Sequence, residues 1–364
     1  MSLPWWSVVS PVVAVVVLGL SYGRSAGGVL LAVVAIALVA AVLAAVHHAE
    51  VVALRVGEPF GTLILAVAVT VIEVGLILML MTSSKVGVET LARDTVFSAF
   101  MIVCNGVVGL CLLVGALRHH VVAFRVEGVS AALATLAAIA TLALALPTFT
   151  TSAPGPTFTT AQLIFAGVAA LTLYVVFVFV QTVRHRDYFL PLPTVASESE
   201  MDDIPEEHMA PPTGWAALVG LGLLLLSLVA VVGLAKSASP AIERAVNAAG
   251  APQSVVGVCI ALLVLLPETG AAVRAANRNR IQTSLNLAYG SALASIGLTI
   301  PAIAVASLWM HQPLALGLGA KDLVLLALTI VVSTLTVTPG RSTLMQGSVH
   351  LAICAAFGFL AFTP

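Results

Sequence analysis

Two glutamates stand out among the acidic residues because each lies well inside a long apolar stretch of the chain. There are 16 Asp and Glu residues, and only Glu73 and Glu268 occupy such positions, whereas the others fall in polar connections or near the ends of apolar stretches. A carboxylate at the centre of a bilayer costs at least a few kcal/mol, so it normally faces a partner or a water-filled cavity. Carboxylate oxygens suit hard cations and can also bind protons. The pair is therefore the first candidate for a cation- and proton-binding site.

Small and polar residues follow each glutamate on the next predicted helix. In the second of these stretches Asn286 and Gly290 share a helical face, and so do Ser291 and Ser295. The matching stretch of the first half carries Asn105 between a cysteine and a glycine. Amide and hydroxyl oxygens can join a carboxylate around a hard cation, so these four polar residues are predicted to lie at the ion site. For the two serines, close packing between helices is an equal alternative.

A third group of titratable residues lies at the end of the second apolar stretch, where His47 and His48 precede Glu50. Histidine is the side chain most readily titrated near neutral pH, so His48 and Glu50 are candidates for a proton relay. A hydrated helix end is the simpler interpretation. The two histidines are adjacent and lack the spacing of a metalloprotease motif, which argues against an intramembrane enzyme.

The composition restricts the chain to one broad class. Of its 364 residues 60% are hydrophobic and only 9% are charged, with a mean hydropathy of +1.13. Soluble domains carry about 25% charged residues, so a soluble globular protein is excluded. Four cysteines are too few for disulfides to stabilise a chain of this length, which excludes a disulfide-rich secreted protein. The 15 basic and 16 acidic residues leave no excess of positive charge for binding nucleic acid. The chain is therefore predicted to be an all-α polytopic membrane protein.

A helix needs about 20 mostly apolar residues to cross a bilayer, and about eleven stretches meet this requirement. The first is an extra N-terminal helix within 1–28, and five follow in each half, at 29–183 and 214–364. An odd number of spans per half makes two homologous halves inverted relative to each other, as in many secondary transporters. Glu73 and Glu268 are then on the second helix of each half, and Pro267 is expected to break its helix. The predicted spans are 5–22, 29–50, 61–81, 96–117, 129–147, 161–183, 214–235, 254–273, 286–308, 320–338 and 343–362.

Residues 184–213 form an acidic, proline-rich linker between the halves, with six carboxylates between Glu198 and Glu207. This linker could gather cations, sense calcium or simply be solvated. With the N-terminus inside, nine of the 15 basic residues lie on the cytoplasmic side. The positive-inside rule thus predicts a multi-pass protein of the cell (inner) membrane with a cytoplasmic N-terminus and linker.

Two motifs make the resemblance to a family specific. Residues 57–62 (GEPFGT) lead to Glu73, and residues 266–270 (LPETG) lead to a small-residue helix over 286–295. These segments resemble the two alpha-repeats of the calcium:cation antiporter superfamily, and most of all its bacterial Ca²⁺/Na⁺(K⁺):H⁺ antiporter branch. The resemblance implies that Glu73 and Glu268 bind cation and protons alternately, as the metal ligands, and that Asn105 and Asn286 line the pathway. The family's Gly-Asn-Ala-Ala/Thr-Glu signature is replaced here by other residues before each glutamate.

The predicted function is secondary exchange of a cation for protons by alternating access, with Ca²⁺ first and Na⁺ or K⁺ next. No cofactor is expected beyond the transported ions, since no Walker-type loop is present, and the bilayer is the only other partner predicted. The alternative is a cation channel with a paired-carboxylate filter, which would conduct irrespective of a pH gradient. The sequence leaves the oligomeric state open.

Overall fold

The computed structural model describes residues 4–23, 28–57, 60–83, 88–191, 212–310 and 314–363. Within these ranges the chain is almost entirely helical, which confirms the predicted all-α class. The carboxylate-rich part of the linker, 198–207, and residues 58–59 of the first motif lie outside the described residues.

The first half begins with the short helix α1, Trp5–Ser21, and then forms long helices interrupted by π-helical turns. One such turn, Ile102–Val107, joins α4 to α5 and carries Asn105. A π-helical turn inserts an extra residue into a helix and often marks a functional position. The remaining elements of this half are α2 (Gly28–Val56), α3 (Phe60–Ser83), α4 (Val88–Met101), α5 (Val108–His119), β1 (Val122–Ala123), α6 (Val126–Ala140), a π-helical turn (Thr141–Ala145), α7 (Leu146–Phe149), α8 (Thr160–Phe179), a π-helical turn (Val180–Arg184) and a 3₁₀ turn (Arg186–Phe189).

The second half consists of five longer helices with one short strand between the last two. These elements are α9 (Gly214–Ala248), α10 (Ser254–Asn277), α11 (Ile281–Met310), α12 (Ala320–Val337), β2 (Arg341–Ser342) and α13 (Leu344–Phe362). Strands β1 and β2 pair antiparallel, with Val122 opposite Ser342.

Ten of the described helical segments are long and apolar enough to cross a membrane. They correspond to the ten predicted spans of the two halves. The eleventh, α1, has 17 residues and rises about 26 Å, slightly less than the roughly 30 Å of hydrocarbon. It packs against α2 and α9.

Packing between the halves follows a paired pattern. Helix α2 contacts α9, the first helix of the second half. Helix α3 packs against α11 while α10 packs against α4, and α8 packs against α11 while α13 packs against α5. Each contact therefore has a counterpart in which the two halves exchange roles, as expected for a protein built from two repeats. This arrangement brings the second and third helices of both halves together at the centre.

The prediction that Pro267 breaks its helix is wrong. Helix α10 runs without interruption from Ser254 to Asn277 with this proline inside. A proline removes one backbone hydrogen bond, but neighbouring helices in a membrane bundle hold such a helix in place. Glu268 therefore projects from a regular helix.

The beginning of the predicted linker also differs from expectation, because residues 186–190 fold against the bundle. The Phe189 side chain is buried and meets the ring of Phe177 edge-on at 5.8 Å. The carbonyl of Leu190 accepts a hydrogen bond of 3.0 Å from Arg125. Burial of an aromatic side chain contributes favourable free energy, so this segment is packed as part of the helical bundle.

Candidate functional site

Glu73 lies on α3 at the contact with α11 and is 1% exposed. Its Oε2 atom accepts hydrogen bonds from Ser295 Oγ at 2.6 Å and from Thr299 Oγ1 at 3.1 Å. The two donors are four residues apart on α11 and so share one face of that helix. This contact joins the second helix of one half to the third helix of the other.

The second oxygen of Glu73 is left without a hydrogen bond. Its Oε1 atom is buried and finds no partner among the described residues. A buried acceptor without a partner costs about 1–3 kcal/mol, and more when it carries charge. Such an oxygen marks a position where a proton or a cation would be stabilising.

Glu268 presents the same feature from the other half. Its Oε2 atom is buried without a partner within the described part of the chain. The carboxylates that act on it electrostatically are Glu73 and Glu50. The two predicted glutamates are therefore within electrostatic range of each other, and each has one buried oxygen without a hydrogen-bond partner among the described residues.

Glu268 borders a cavity of about 240 Å³. Asn286, Gly290 and Ser291 on α11 line the same cavity, together with residues of α3 and α8. A methyl group added at Gly290 would meet nothing within 4 Å, so this helix face is open to the cavity. The polar residues that line the cavity are one carboxylate (Glu268), two amides (Gln181 and Asn286) and three hydroxyl-bearing residues (Tyr174, Thr283 and Ser291). Its full lining is Leu65, Ala66, Val69, Tyr174, Phe177, Val178, Gln181, Glu268, Thr283, Asn286, Leu287, Gly290, Ser291 and Ala294.

Asn286 also holds the rim of this cavity together. Its amide donates to the Phe189 carbonyl at 2.6 Å, and its oxygen accepts from Gln282 at 2.9 Å. Gln282 in turn accepts from the backbone N–H of Arg125 at 2.7 Å. The rim is thus a chain of hydrogen bonds that connects α11 to the segments before α6 and after α8.

Asn105 lies in a different polar cluster. Its amide donates to Thr329 at 2.9 Å, and its oxygen accepts from His350 Nδ1 at 3.1 Å. The other ring nitrogen of His350 contacts the Thr336 hydroxyl at 3.1 Å. All four side chains are buried, and none of them lines the cavity beside Glu268.

The proposed relay residues point in different directions. His48 Nε2 donates to the Ser7 carbonyl at 2.8 Å, so this imidazole is turned toward α1. Glu50 is exposed, and the charged groups that face it are Arg274 and Glu268. Glu50 therefore acts electrostatically on Glu268, whereas His48 lies in a separate contact.

Four residues that contact Glu73 or belong to the Asn105 cluster were absent from the predicted site: Thr299, Thr329, Thr336 and His350. Thr299 follows Ser295 by one helical turn, and this spacing could have indicated it. His350 gave no such signal, because its partner Asn105 is 245 residues away in the chain. Among the described residues, no group of three or more His, Cys, Asp or Glu converges as a metal site. Cation ligands would therefore be two carboxylates completed by neutral oxygens.

In the described part of the chain, ten apolar helices enclose two carboxylates that each have a buried oxygen without a partner, which is the character of a polytopic membrane ion transporter. Sequence comparison makes this more specific. The chain belongs to the sodium/calcium exchanger protein family, whose profile matches residues 26–183 and 219–363. This assignment confirms the resemblance described above.

Individual relatives match the chain over nearly its whole length. It is 47% identical to the protein y4hA of Sinorhizobium fredii, named as an ionic transporter, over 100% of this chain and 97% of that one. It is 32% identical to the sodium-potassium/proton antiporter ChaA of Escherichia coli, over 96% of this chain and 94% of the relative. The solved structure of native YfkE superposes with a TM-score of 0.73 at 17% identity and 99% coverage of both chains, which shows a shared fold.

Proposed function

We propose that this protein is a secondary antiporter that exchanges a cation for protons at Glu73 and Glu268. The observation that carries the proposal is that each half contributes one carboxylate with a buried oxygen that has no hydrogen-bond partner among the described residues. Family membership and the 32% identity to a sodium-potassium/proton antiporter support it. Ca²⁺ is the first candidate cation, because two negative charges match one divalent ion, and Na⁺ and K⁺ are the next.

Exchange follows from competition for the same oxygen atoms. A carboxylate must be deprotonated to ligate a metal cation, so a bound cation releases protons and bound protons exclude the cation. Suppose that the helices switch the site from one side of the membrane to the other only when a cation or protons neutralise the two carboxylates. The empty, charged site then cannot switch sides, so each transported cation must be exchanged for protons. The energy then comes from an ion gradient rather than from a nucleotide.

The residues around the two glutamates have different roles in this mechanism. Ser295 and Thr299 orient Glu73 through Oε2 and leave Oε1 free for the ion. Asn286 and Ser291 line the cavity through which the ion reaches Glu268. That Asn105 lines the pathway and that His48 and Glu50 relay protons stay predictions.

The placement in the cell follows the same proposal. Ten spans show a multi-pass membrane protein. We propose the cell (inner) membrane and a cytoplasmic N-terminus. Two repeats at 29–183 and 214–364 are joined by a cytoplasmic linker at 184–213, of which residues 186–190 pack on the bundle, and residues 1–28 form an accessory helix.

Ion flux in proteoliposomes tests the proposal. A pH gradient with the acidic side inside the vesicles should drive uptake of Ca²⁺, Na⁺ or K⁺, each measured separately, as protons leave, and an imposed cation gradient should in turn drive protons in the opposite direction. Glu73→Gln and Glu268→Gln keep size but cannot titrate, so each should abolish exchange. Glu127→Gln is the matched control, because this glutamate is exposed at the start of α6.

Two results would overturn the proposal. Exchange that persists in both central variants would show that the carboxylates are not the site. Cation flux that ignores the pH gradient would identify a channel instead.

A further inference from the structure

The cavity beside Glu268, called the large cavity from here on, has a lining of two kinds. Among the described residues that line it, Glu268 is the only one with a charged side chain. Helix α8 contributes the two aromatic rings of Tyr174 and Phe177, which are three residues apart and share a helical face. Helix α3 contributes three residues, all of them apolar. One carboxylate therefore shares the large cavity with a wall that is mostly hydrocarbon.

The large cavity has the size of a small organic molecule. Its volume is about 240 Å³. An apolar protein cavity of about 150 Å³ holds benzene, so this one has room for an aromatic ring and a short chain. A metal ion contacts only oxygen atoms, at about 2.3–2.6 Å for Ca²⁺, and gains nothing from the apolar wall. An organic cation would use both parts of the lining.

The neutral polar groups of the lining are available to a ligand. Gln181, Thr283 and Ser291 make no side-chain hydrogen bond to another described residue. Sites for small organic ligands are typically apolar with a few polar groups that fix the orientation of the ligand. An alkylammonium group has three donors and no acceptor, so it suits a carboxylate flanked by amide and hydroxyl oxygens. Aromatic rings also attract ammonium ions through their faces.

Nearby charges favour a positive ligand in the large cavity. Glu73 and Glu50 both act electrostatically on Glu268 and add to its negative potential, although Arg274 offsets part of the charge of Glu50. A smaller cavity of about 100 Å³ near Ser254 is lined by two cations and two carboxylates, so its charges balance. The preference for a cation is therefore a property of the large cavity.

We propose that the large cavity binds a small organic ammonium ion that carries one aromatic or alkyl group. The ammonium group lies at Glu268, and the hydrocarbon part packs against α3 and the two rings of α8. This inference rests on the proposed function only in taking Glu268 as a cation-binding group, and it adds a class of ligand to that site. A bound ammonium ion neutralises Glu268 and excludes the inorganic cation from it.

Calorimetric titration of the purified full-length protein with benzylammonium tests this site without measuring transport. Mildly alkaline buffer keeps the carboxylate ionised and the amine protonated. Benzyl alcohol keeps the ring without the charge, and methylammonium keeps the charge without the ring. Glu268→Gln removes the charge of the site, and Gly290→Leu fills the cavity from α11. Gly222→Leu is the matched control, because this exposed glycine of α9 also has nothing within 4 Å of an added methyl group.

Benzylammonium should bind at least about tenfold more tightly than benzyl alcohol or methylammonium, because only it uses both parts of the lining. Glu268→Gln and Gly290→Leu should each weaken its binding about tenfold or more, and Gly222→Leu should leave it unchanged. Equal binding of benzyl alcohol would identify a neutral apolar cavity instead, and equal binding of methylammonium a purely ionic site. Unchanged binding in Gly290→Leu would place the ligand elsewhere. Each of these three results would overturn the inference.

The ligand site and the exchange site can fail separately. If Glu73→Gln and Glu268→Gln left exchange intact while benzylammonium bound as expected, the proposed function would fail and the ligand site would stand. If both variants abolished exchange and benzylammonium did not bind, the ligand site alone would fail.

Discussion

At the residue scale, the central feature is a carboxylate whose two oxygens have different environments. Glu73 Oε2 accepts hydrogen bonds from Ser295 and Thr299, whereas Oε1 has no partner among the described residues. Hydrogen bonds to one oxygen restrict the side-chain torsions and so fix the direction of the other oxygen, which in the proposed mechanism is the ion ligand. Binding sites depend on such supporting contacts as much as on the ligands themselves.

Removing one of these donors should weaken cation binding without unfolding the protein. Thr299→Val keeps the shape of the side chain but loses the hydroxyl, so the apparent KM for the cation should rise about tenfold, the factor typical of a lost supporting contact. Thr299→Ser keeps the hydroxyl and is the control. The measurement is cation-dependent exchange in proteoliposomes. Equal KM values in the two variants would show that this hydrogen bond does not position Glu73.

At the element scale, α11 performs two functions on nearly the same face. Gly290 borders the open cavity, whereas Gly297, two turns further along, contacts Tyr174 of α8. The helix therefore provides both a wall of the large cavity, the proposed ion route, and a tight packing surface within 11 Å.

The two glycines should respond oppositely to alanine. At Gly290 a methyl group meets nothing, and replacing a helical glycine by alanine can stabilise by up to about 1 kcal/mol. At Gly297 it would lie 2.8 Å from the Tyr174 Cβ atom, and overpacking of this kind costs about 1–3 kcal/mol. Thermal unfolding in detergent should show a lower midpoint only for Gly297→Ala. Equal unfolding midpoints for the two variants would show that α8 and α11 move apart at little cost to accommodate the added methyl group at residue 297.

These elements also show which features of the structure could be predicted from the sequence. Long apolar runs fix helices in a bilayer, because no other structure satisfies the backbone there, and so the spans were predictable. A buried carboxylate is expensive in lipid, so Glu73 and Glu268 could be found as well. The partners of Asn105 could not, since its contacts to Thr329 and His350 depend on which helices become neighbours. The prediction that Pro267 breaks α10 was wrong for the same reason, because packing against neighbouring helices overrides the unfavourable effect of proline inside a helix.

At the scale of the whole molecule, α1 stands apart from the two halves. The family match begins at residue 26, after this helix has ended. Its contacts are with α2 and α9, including Leu18 against Gly233. Because α1 lies outside the family match and packs mainly against α2 and α9, it is expected to support the bundle rather than to carry ions.

Disrupting the packing of α1 should lower the stability of the protein without abolishing ion exchange. A side chain at Gly233 would begin 2.5 Å from Leu18, so Gly233→Phe should displace α1 and lower the unfolding midpoint. Leu18→Ala in the same chain makes room and should restore part of the loss. Exchange in proteoliposomes should persist in both. Its disappearance in the well-folded double variant would assign α1 a direct part in transport.

The short ribbon of β1 and β2 has a consequence for membrane sidedness. Because Val122 and Ser342 are opposite each other, the loops that contain them emerge into one compartment. The chain between them must therefore traverse the lipid an even number of times, and the helical segments α6–α7, α8, α9, α10, α11 and α12 make six passes. This parity comes from backbone pairing alone and is independent of where the arginines lie.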